Sequence, residues 1–314
     1  MAESQVLPNS TSISVIVPVY NASRTITNLV ERLNNVLPSL TNRFEILLVN
    51  DGSHDDSWEI ISRLAAQFKH IRGINLLRNF GQHNAILCGI RSAKNEIILT
   101  MDDDLQHPPE EIHLLLEKLH EGFDVVYGIP QKLPHSLFRN IASWVTKRIL
   151  ALVMRIRSVK DISAFRAFRS QLKAVFQDYR SPGVIVDVML SWGTTRFSTV
   201  TVKEDPRQIG VSNYSLSKLI WQALLVLTGF STIPLRFASL LGFVFTLVGF
   251  GILVYVVTVY FTLGSIPGFP FLASIISLFS GIQLLVLGIL GEYLARVFDR
   301  SLDRPPYIIA NKIN

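Results

Sequence analysis

The sequence predicts an α/β domain on a doubly wound, mostly parallel sheet, followed by a helical hairpin long enough to cross a membrane. Three observations carry this expectation. Short apolar runs of strand length alternate with helix-period patterns through the first 130 residues, as in successive βαβ units. Each of the first four runs is followed within a residue or two by a polar turn, and in such sheets ligands bind outside the carboxyl ends of the strands. Finally, no Asp, Glu, Lys, Arg or His occurs between Arg236 and Glu292, a stretch well over the roughly 20 residues that one membrane-spanning helix needs.

The elements follow in order. Residues 1–12 (MAESQVLPNSTS) lack the basic and apolar halves of a signal peptide and read as a disordered lead-in. Residues 13–17 (ISVIV) form a short buried strand, and Pro18-Val19-Tyr20-Asn21 turns at its carboxyl end. Ile26, Leu29, Val30 and Leu33 recur at helical spacing. Residues 44–49 (FEILLV) are the second strand, ending in Asn50-Asp51-Gly52-Ser53. A helix over 58–68 leads to a strand at 71–76, the turn Arg78-Asn79-Phe80-Gly81 and a helix at 82–91. Residues 97–101 (IILTM) form the fourth strand, which runs into Asp102-Asp103-Asp104. Pro108-Pro109-Glu110-Glu111 then opens a helix, with proline suited to its first turn. A further strand is expected at 123–127.

Beyond this point the character changes. Over 134–157, Ile141, Val145, Ile149, Leu152 and Ile156 make an apolar stripe beside Arg139, Lys147, Arg148, Arg155 and Arg157, the pattern of an amphipathic helix in a membrane interface. A strand is expected at 197–202 and a turn-rich loop at 204–214, which closes a domain spanning 13–213. Residues 214–234 are juxtamembrane, with an amphipathic helix over 215–228, and spans are expected at 235–263 and 269–294, broken by Gly264-Ser265-Ile266-Pro267-Gly268. Arg236 flanks one end and Arg296, Arg300 and Arg304 the other. The positive-inside rule therefore places the domain and the 295–314 tail on the cytoplasmic side of a plasma (inner) membrane. The net charge of +6 clusters near apolar helices, which favours an anionic membrane surface over nucleic acid. The single cysteine, Cys88, excludes an internal disulfide and fits a reducing compartment.

Three consecutive carboxylates at a buried strand end repel one another and lose hydration. One reading is a divalent cation, Mg²⁺ or Mn²⁺, held by the hard oxygens of Asp102, Asp104 and Gln106, with strand alternation putting the two carboxylates on one side. The other is a solvated acidic turn capping the next helix. There is neither GxGxxG after the first strand nor GxxxxGK[ST] anywhere, so dinucleotide and P-loop readings drop out. A metal turn beside a membrane suggests a nucleotide-linked donor and a lipid acceptor. Asp51 can accept from a base edge and Tyr20 can pack on it, or both are turn residues. His54, His83 and His107 read as structural, and Trp144 and Trp221 as interface anchors.

The segments VIVPVYN (15–21), LLVNDGSHDDS (47–57), LLRNFGQHNAILCG (76–89), MDDDLQHPPEEI (101–112) and DVVYG (124–128) resemble the polyisoprenyl-phosphate glycosyltransferases, family 2 enzymes of the GT-A (Rossmann-like) fold. So do DISAFRAFR (161–169), IGVSNYSL (209–216), STIPLR (231–236), LGEYLARVF and RPPYII, which extends the resemblance over nearly the whole chain. It implies that Pro18, Tyr20, Asn21, Asp51 and Ala85 line a nucleotide pocket. It also implies metal ligands at Asp102, Asp104 and Gln106, with Asp103 between them. Arg139 and Arg166 fall in segments that hold the acceptor phosphate in the family, and Arg207 begins a loop that closes over the diphosphate. The chain departs from the family pattern at Ala22, where a carboxylate is usual, at Asn213, where lysine is usual, and at Ile129-Pro130, where a basic residue is usual. The implied reaction is an inverting displacement that moves a sugar, with UDP-glucose as the favoured donor, onto a polyprenyl phosphate such as undecaprenyl phosphate. Asp161 matches the family's general base; however, a phosphate monoester with a second pKa of about 6 is already ionised at neutral pH, so the other roles are orienting the acceptor or balancing the nearby arginines in a structural ion pair. Two spans beside interface helices also permit a homo-oligomer. The rival readings are a processive polysaccharide synthase, whose QxxRW motif is missing here, and a non-catalytic binder of nucleotide sugar or lipid-linked sugar.

Overall fold

The computed structural model describes residues 11–130, 162–181, 183–203, 205, 231–264 and 268–314. Its core is an eight-stranded sheet in the order β7-β5-β6-β4-β1-β2-β3-β8. The strands are β1 (Ile13–Val19), β2 (Phe44–Asn50), β3 (Ile71–Leu76), β4 (Ile97–Thr100), β5 (Val125–Pro130), β6 (Arg166–Arg169), β7 (Phe197–Val202) and β8 (Ile309–Ile313). β1 to β4 are parallel to one another, and β5 is parallel to β7. β6 runs antiparallel between β4 and β5, and β8 antiparallel along β3. The sheet is thus mostly parallel, as its alternating pattern predicts.

The chemistry of the strands explains their place. β1 reads ISVIVPV with every residue buried, as a parallel strand covered on both faces must be. Helix α1 (Ile26–Leu40) buries Ile26, Leu29, Val30, Leu33 and Leu37, a stripe at helical spacing against that sheet. Helices α2 (Ser57–Gln67), α3 (Gln82–Ser92) and α4 (Ile112–His120) complete the layers, and α5 (Val186–Gly193) lies between β6 and β7 in sequence. Two strands go beyond the sequence reading. β6 lies in the middle of the sheet, although its RAFR run is half charged. β8, from the carboxyl-terminal tail, pairs Ile74 with Lys312 and Asn75 with Asn311 and covers the β3 edge, which would otherwise offer unpaired backbone groups.

Residues 221–302 make a second unit. Its helices α6 (Ile233–Leu263) and α7 (Phe269–Ser301) are both long and apolar enough to cross a membrane. They meet where Gly249 leaves room for the Phe279 ring, which lies edge-on to Phe245 at 6.0 Å between centroids. Phe250, Leu253, Leu284 and Leu287 point outward and exposed, the side-chain chemistry of a lipid-facing surface. α7 continues past Glu292, which pairs with Arg296 at 2.7 Å one turn later.

The contact between α3 and β1 permits no side chain at Gly89, where an added Cβ would stand 2.3 Å from Ile16 Cγ2. Ile16 is fully buried and cannot step aside. Gly89→Ala is therefore expected to destabilise the domain by about 1–3 kcal/mol. Thermal unfolding of the full chain in detergent measures this, and adding Ile16→Val should recover part of the loss.

Candidate active site

The sheet sends its polar turns to one edge. β1 to β4 all end there, so Tyr20-Asn21, Asp51, the 78–81 turn and the acidic turn converge. β5 and β7 run the same way as β4, because β6 is antiparallel to both β4 and β5. Pro130 and Val202, at the carboxyl ends of β5 and β7, therefore also lie at this edge. Arg139, Asp161 and Arg207 lie outside the described residues, as do Trp144, Trp221 and the interface helices expected at 134–157 and 215–228.

At the acidic turn each carboxylate meets a different donor. Asp103 Oδ2 accepts from the Tyr20 N–H at 3.2 Å, which joins the turn to the end of β1. Asp102 Oδ1 accepts from Gln82 Nε2 at 2.6 Å, at the start of α3. Asp104 Oδ1 accepts from the Gln106 N–H at 3.2 Å, closing the turn on itself. Burial pushes Asp103 up to about 7, and the neighbouring charges of Asp102 and Asp104 add to the shift against the Tyr20 N–H. Strand alternation does not extend through this turn. The β4 ladder stops at Thr100, and Leu105 is buried with φ at 62°, so the residues beyond are placed by the turn.

The nucleotide-side residues divide into two groups. Tyr20 is 45 % exposed and Asn21 is exposed in a left-handed conformation, φ 54°. Asn21 is held by Ser53 Oγ on its N–H, at 3.0 Å, and its own Oδ1 accepts from the His54 N–H at 2.8 Å. Asp51 is 2 % exposed. Its oxygens accept from the Phe80 and Gly81 N–H groups at 2.7 and 2.9 Å, which pins the 78–81 turn to β2. Burial raises its pKa and these two donors oppose the rise. Beside it Gly52, at φ +65°, brings two backbones so close that a Cβ would meet Arg78 C and Asn79 N at 2.5 Å. By contrast, Pro18 and Ala85 are fully covered, Pro18 within β1 and Ala85 in the first turn of α3. Each therefore meets the site through the element that carries it, β1 for Pro18 and α3 for Ala85.

Arg166 sits deep in the sheet, on β6. Its side chain is 2 % exposed, and its guanidinium is committed to Asp187 and, through Nε at 2.9 Å, to Thr100 Oγ1. Tyr127 donates its hydroxyl to the same Asp187 oxygen at 2.9 Å, and burial, then Asp187, holds its phenol well above the usual range. A guanidinium enclosed in this way braces the end of β4. Burial, and then the Arg166 charge, keeps neighbouring His83 below the ordinary imidazole pKa, against the pull of Asp187. His107, whose pKa burial also lowers, stacks on Phe165 with centroids 5.4 Å apart, a packing role. Asp187 was legible only as a carboxylate stranded in the apolar run VIVDVML.

Residues 14–179 match the family model described as Glycosyl transferase family 2. An undecaprenyl-phosphate 4-deoxy-4-formamido-L-arabinose transferase from Yersinia enterocolitica is 33% identical over 317 residues, covering 98% of this chain and 95% of that protein. Its counterpart in Edwardsiella ictaluri is 35% identical over 309 residues, 96% and 94% of the two chains. The chain belongs to glycosyltransferase family 2. Among solved structures, this family 2 enzyme is similar to glucosyl-3-phosphoglycerate synthase from Mycobacterium tuberculosis at a TM-score of 0.52, with 18% identity over 70% of this chain and 78% of that one. That likeness establishes the GT-A fold.

Among the described residues, no three His, Cys, Asp or Glu side chains are grouped to hold a metal ion by themselves. The acidic turn of this glycosyltransferase carries two half-buried carboxylates, Asp102 and Asp104, with Gln106 on the same turn. This fits Mg²⁺ or Mn²⁺, which take one or two carboxylates and complete their coordination with substrate phosphates and water. The ion pair behind the turn makes its own prediction. Arg166→Met or Asp187→Leu alone strands a buried charge and is expected to cost about 3–5 kcal/mol. The double variant should regain most of that in a denaturation cycle.

Proposed function

We propose that the enzyme moves a sugar from a nucleoside diphosphate to a polyprenyl phosphate on the cytoplasmic face of the plasma membrane, inverting the anomeric centre. The observation that carries this reading is the acidic turn at the carboxyl edge of the sheet, in a chain that matches undecaprenyl-phosphate sugar transferases almost end to end. The two apolar helices and the basic flanks of the hairpin support a multi-pass anchor with both termini cytoplasmic. UDP-glucose is the proposed donor and undecaprenyl phosphate the proposed acceptor. The relatives are named for 4-deoxy-4-formamido-L-arabinose, which makes that sugar the first comparison in any donor panel. Two spans also offer a surface for self-association.

Tyr20 and Asn21 present the exposed side chains to the nucleotide, and Asp51 keeps a second lone pair on each oxygen for a base N–H. Asp103 anchors the acidic turn to β1 through Tyr20. A cation at Asp102, Asp104 and Gln106 would supply Lewis-acid stabilisation for the departing diphosphate. Arg139 is the proposed acceptor-phosphate contact, and Arg207 is proposed to reach the diphosphate. The acceptor oxygen attacks the anomeric carbon as the sugar–phosphate bond breaks, and the electron pair leaves with the nucleoside diphosphate. The acceptor is largely ionised at neutral pH, so Asp161 is assigned to orienting it.

Transfer of radiolabelled sugar from a panel of UDP- and GDP-sugars into organic-extractable lipid tests this reading. Asp104→Ala is expected to lower turnover on the order of a hundredfold or more, because Lewis-acid stabilisation is worth several kcal/mol. Chelator should abolish turnover and Mn²⁺ restore it, whereas Asp161→Asn should keep most of it. Full turnover in chelator, or donor binding without labelled lipid, would sink the proposal.

A further inference from the structure

One guanidinium behind the site ties together three stretches that are distant in sequence. Arg32, on α1, grips Glu110 with both ends of its fork, Nε to Oε1 at 3.1 Å and Nη2 to Oε2 at 2.6 Å. Its Nη1 and Nη2 also donate to Asp205 Oδ2, at 3.2 and 3.3 Å. The Asp205 N–H in turn donates to the Gln106 carbonyl at 2.9 Å. The ring closes through the chain itself, since Glu110 lies four residues beyond Gln106. Next to it, the Lys203 N–H reaches Glu111 Oε2 at 3.4 Å.

The ring encloses a turn that needs holding. Leu105 adopts φ 62° without being glycine or asparagine, a costly conformation that persists only where its surroundings over-determine it. On one side the turn is held by Tyr20 and Gln82. On the other it is held by Asp205, which Arg32 fixes. Without Arg32, the Glu110 and Asp205 carboxylates would face each other with no cation between them and repel each other. The two-way grip raises the Arg32 pKa, and its hydrogen bonds draw Glu110 below its usual value.

We propose that Arg32 is a positioning residue: by holding Glu110 and Asp205 together, it sets the 102–106 turn in the shape that receives a nucleoside diphosphate with its cation. The proposal rests on the donor reading above. The side chains of Arg32, Glu110 and Asp205 are 24%, 50% and 41% exposed, and ion pairs of that exposure contribute little to global stability. Losing this clamp should therefore loosen the turn and leave the fold intact.

The test uses the full chain in detergent with Arg32→Met and Arg32→Lys. Amide hydrogen exchange across 101–112 reads the clamp with no donor present, and calorimetric titration with UDP or GDP plus Mn²⁺ reads its consequence. Arg32→Met is expected to speed exchange in that segment and to weaken nucleotide binding on the order of tenfold, with the melting temperature unchanged within error. Arg32→Lys should fall between, because an ammonium cannot fork to two carboxylates. In the lipid-transfer assay the loss should appear in the donor KM more than in kcat. Unchanged exchange in Arg32→Met overturns the clamp. Faster exchange with unaltered nucleotide affinity overturns the positioning role, as does a binding loss that merely tracks a fall in melting temperature. If wild type binds neither nucleotide, the donor reading fails together with the ligand half of this proposal, while exchange still judges the clamp.

Discussion

Negative charge concentrated where a buried strand gives out is the constraint on which the rest of this fold depends. Three successive carboxylates at the end of β4 cannot be hydrated as they would be in open solvent, and Asp103 rises to about 7 as a result. The chain answers with donors from separate elements. The Tyr20 N–H comes from the end of β1, the Gln82 amide from the start of α3, and the Gln106 N–H from the turn itself. Each donor requires its own element to be in register, so the acidic turn and the sheet order specify each other.

A second charge system stiffens the same strand from within. Thr100, the last residue of β4, is gripped through its hydroxyl by Arg166, whose charge is met by Asp187. Ion pairs this deeply buried seldom add stability over an apolar substitute, but they permit one arrangement only. Here that arrangement fixes where β4 ends and hence where Asp102 to Asp104 begin. The acidic turn thus has an interior brace of buried charge and an outer one of half-exposed charge.

The sequence made the fold readable wherever one face of an element was continuously apolar. β1 to β4 and their helices announce themselves by period and by the turns that end them. Reading failed where structure comes from distant pairing. β6 spells RAFR and becomes a strand because β4 and β5 hold it on both sides. β8 spells IANKI and acquires its identity from β3, more than 230 residues earlier. The acidic turn was legible as a site from composition and position, yet its geometry was not, because period-two alternation holds only while a ladder enforces it. The burial of Arg166 was hidden for a related reason: an arginine in a polar-looking run gives no sign that a sheet register will bury it beside an aspartate from α5.

The pairing of β8 with β3 also constrains how this chain can meet a membrane. Residues up to 203 and residues from 309 onward belong to one sheet, and everything between them that is apolar enough to cross a bilayer is confined to α6 and α7 among the described residues. A polypeptide that leaves a folded domain and returns to complete its edge must cross an even number of times. One helix spanning and the other lying in the interface would leave β8 on the wrong side of the bilayer from β3. This argument owes nothing to charge, yet it agrees with the arginines at both flanks, which draw the two ends of the hairpin to the same face. The pairing of β8 with β3 and the arginines at both flanks therefore support the proposed two-span anchor by independent routes.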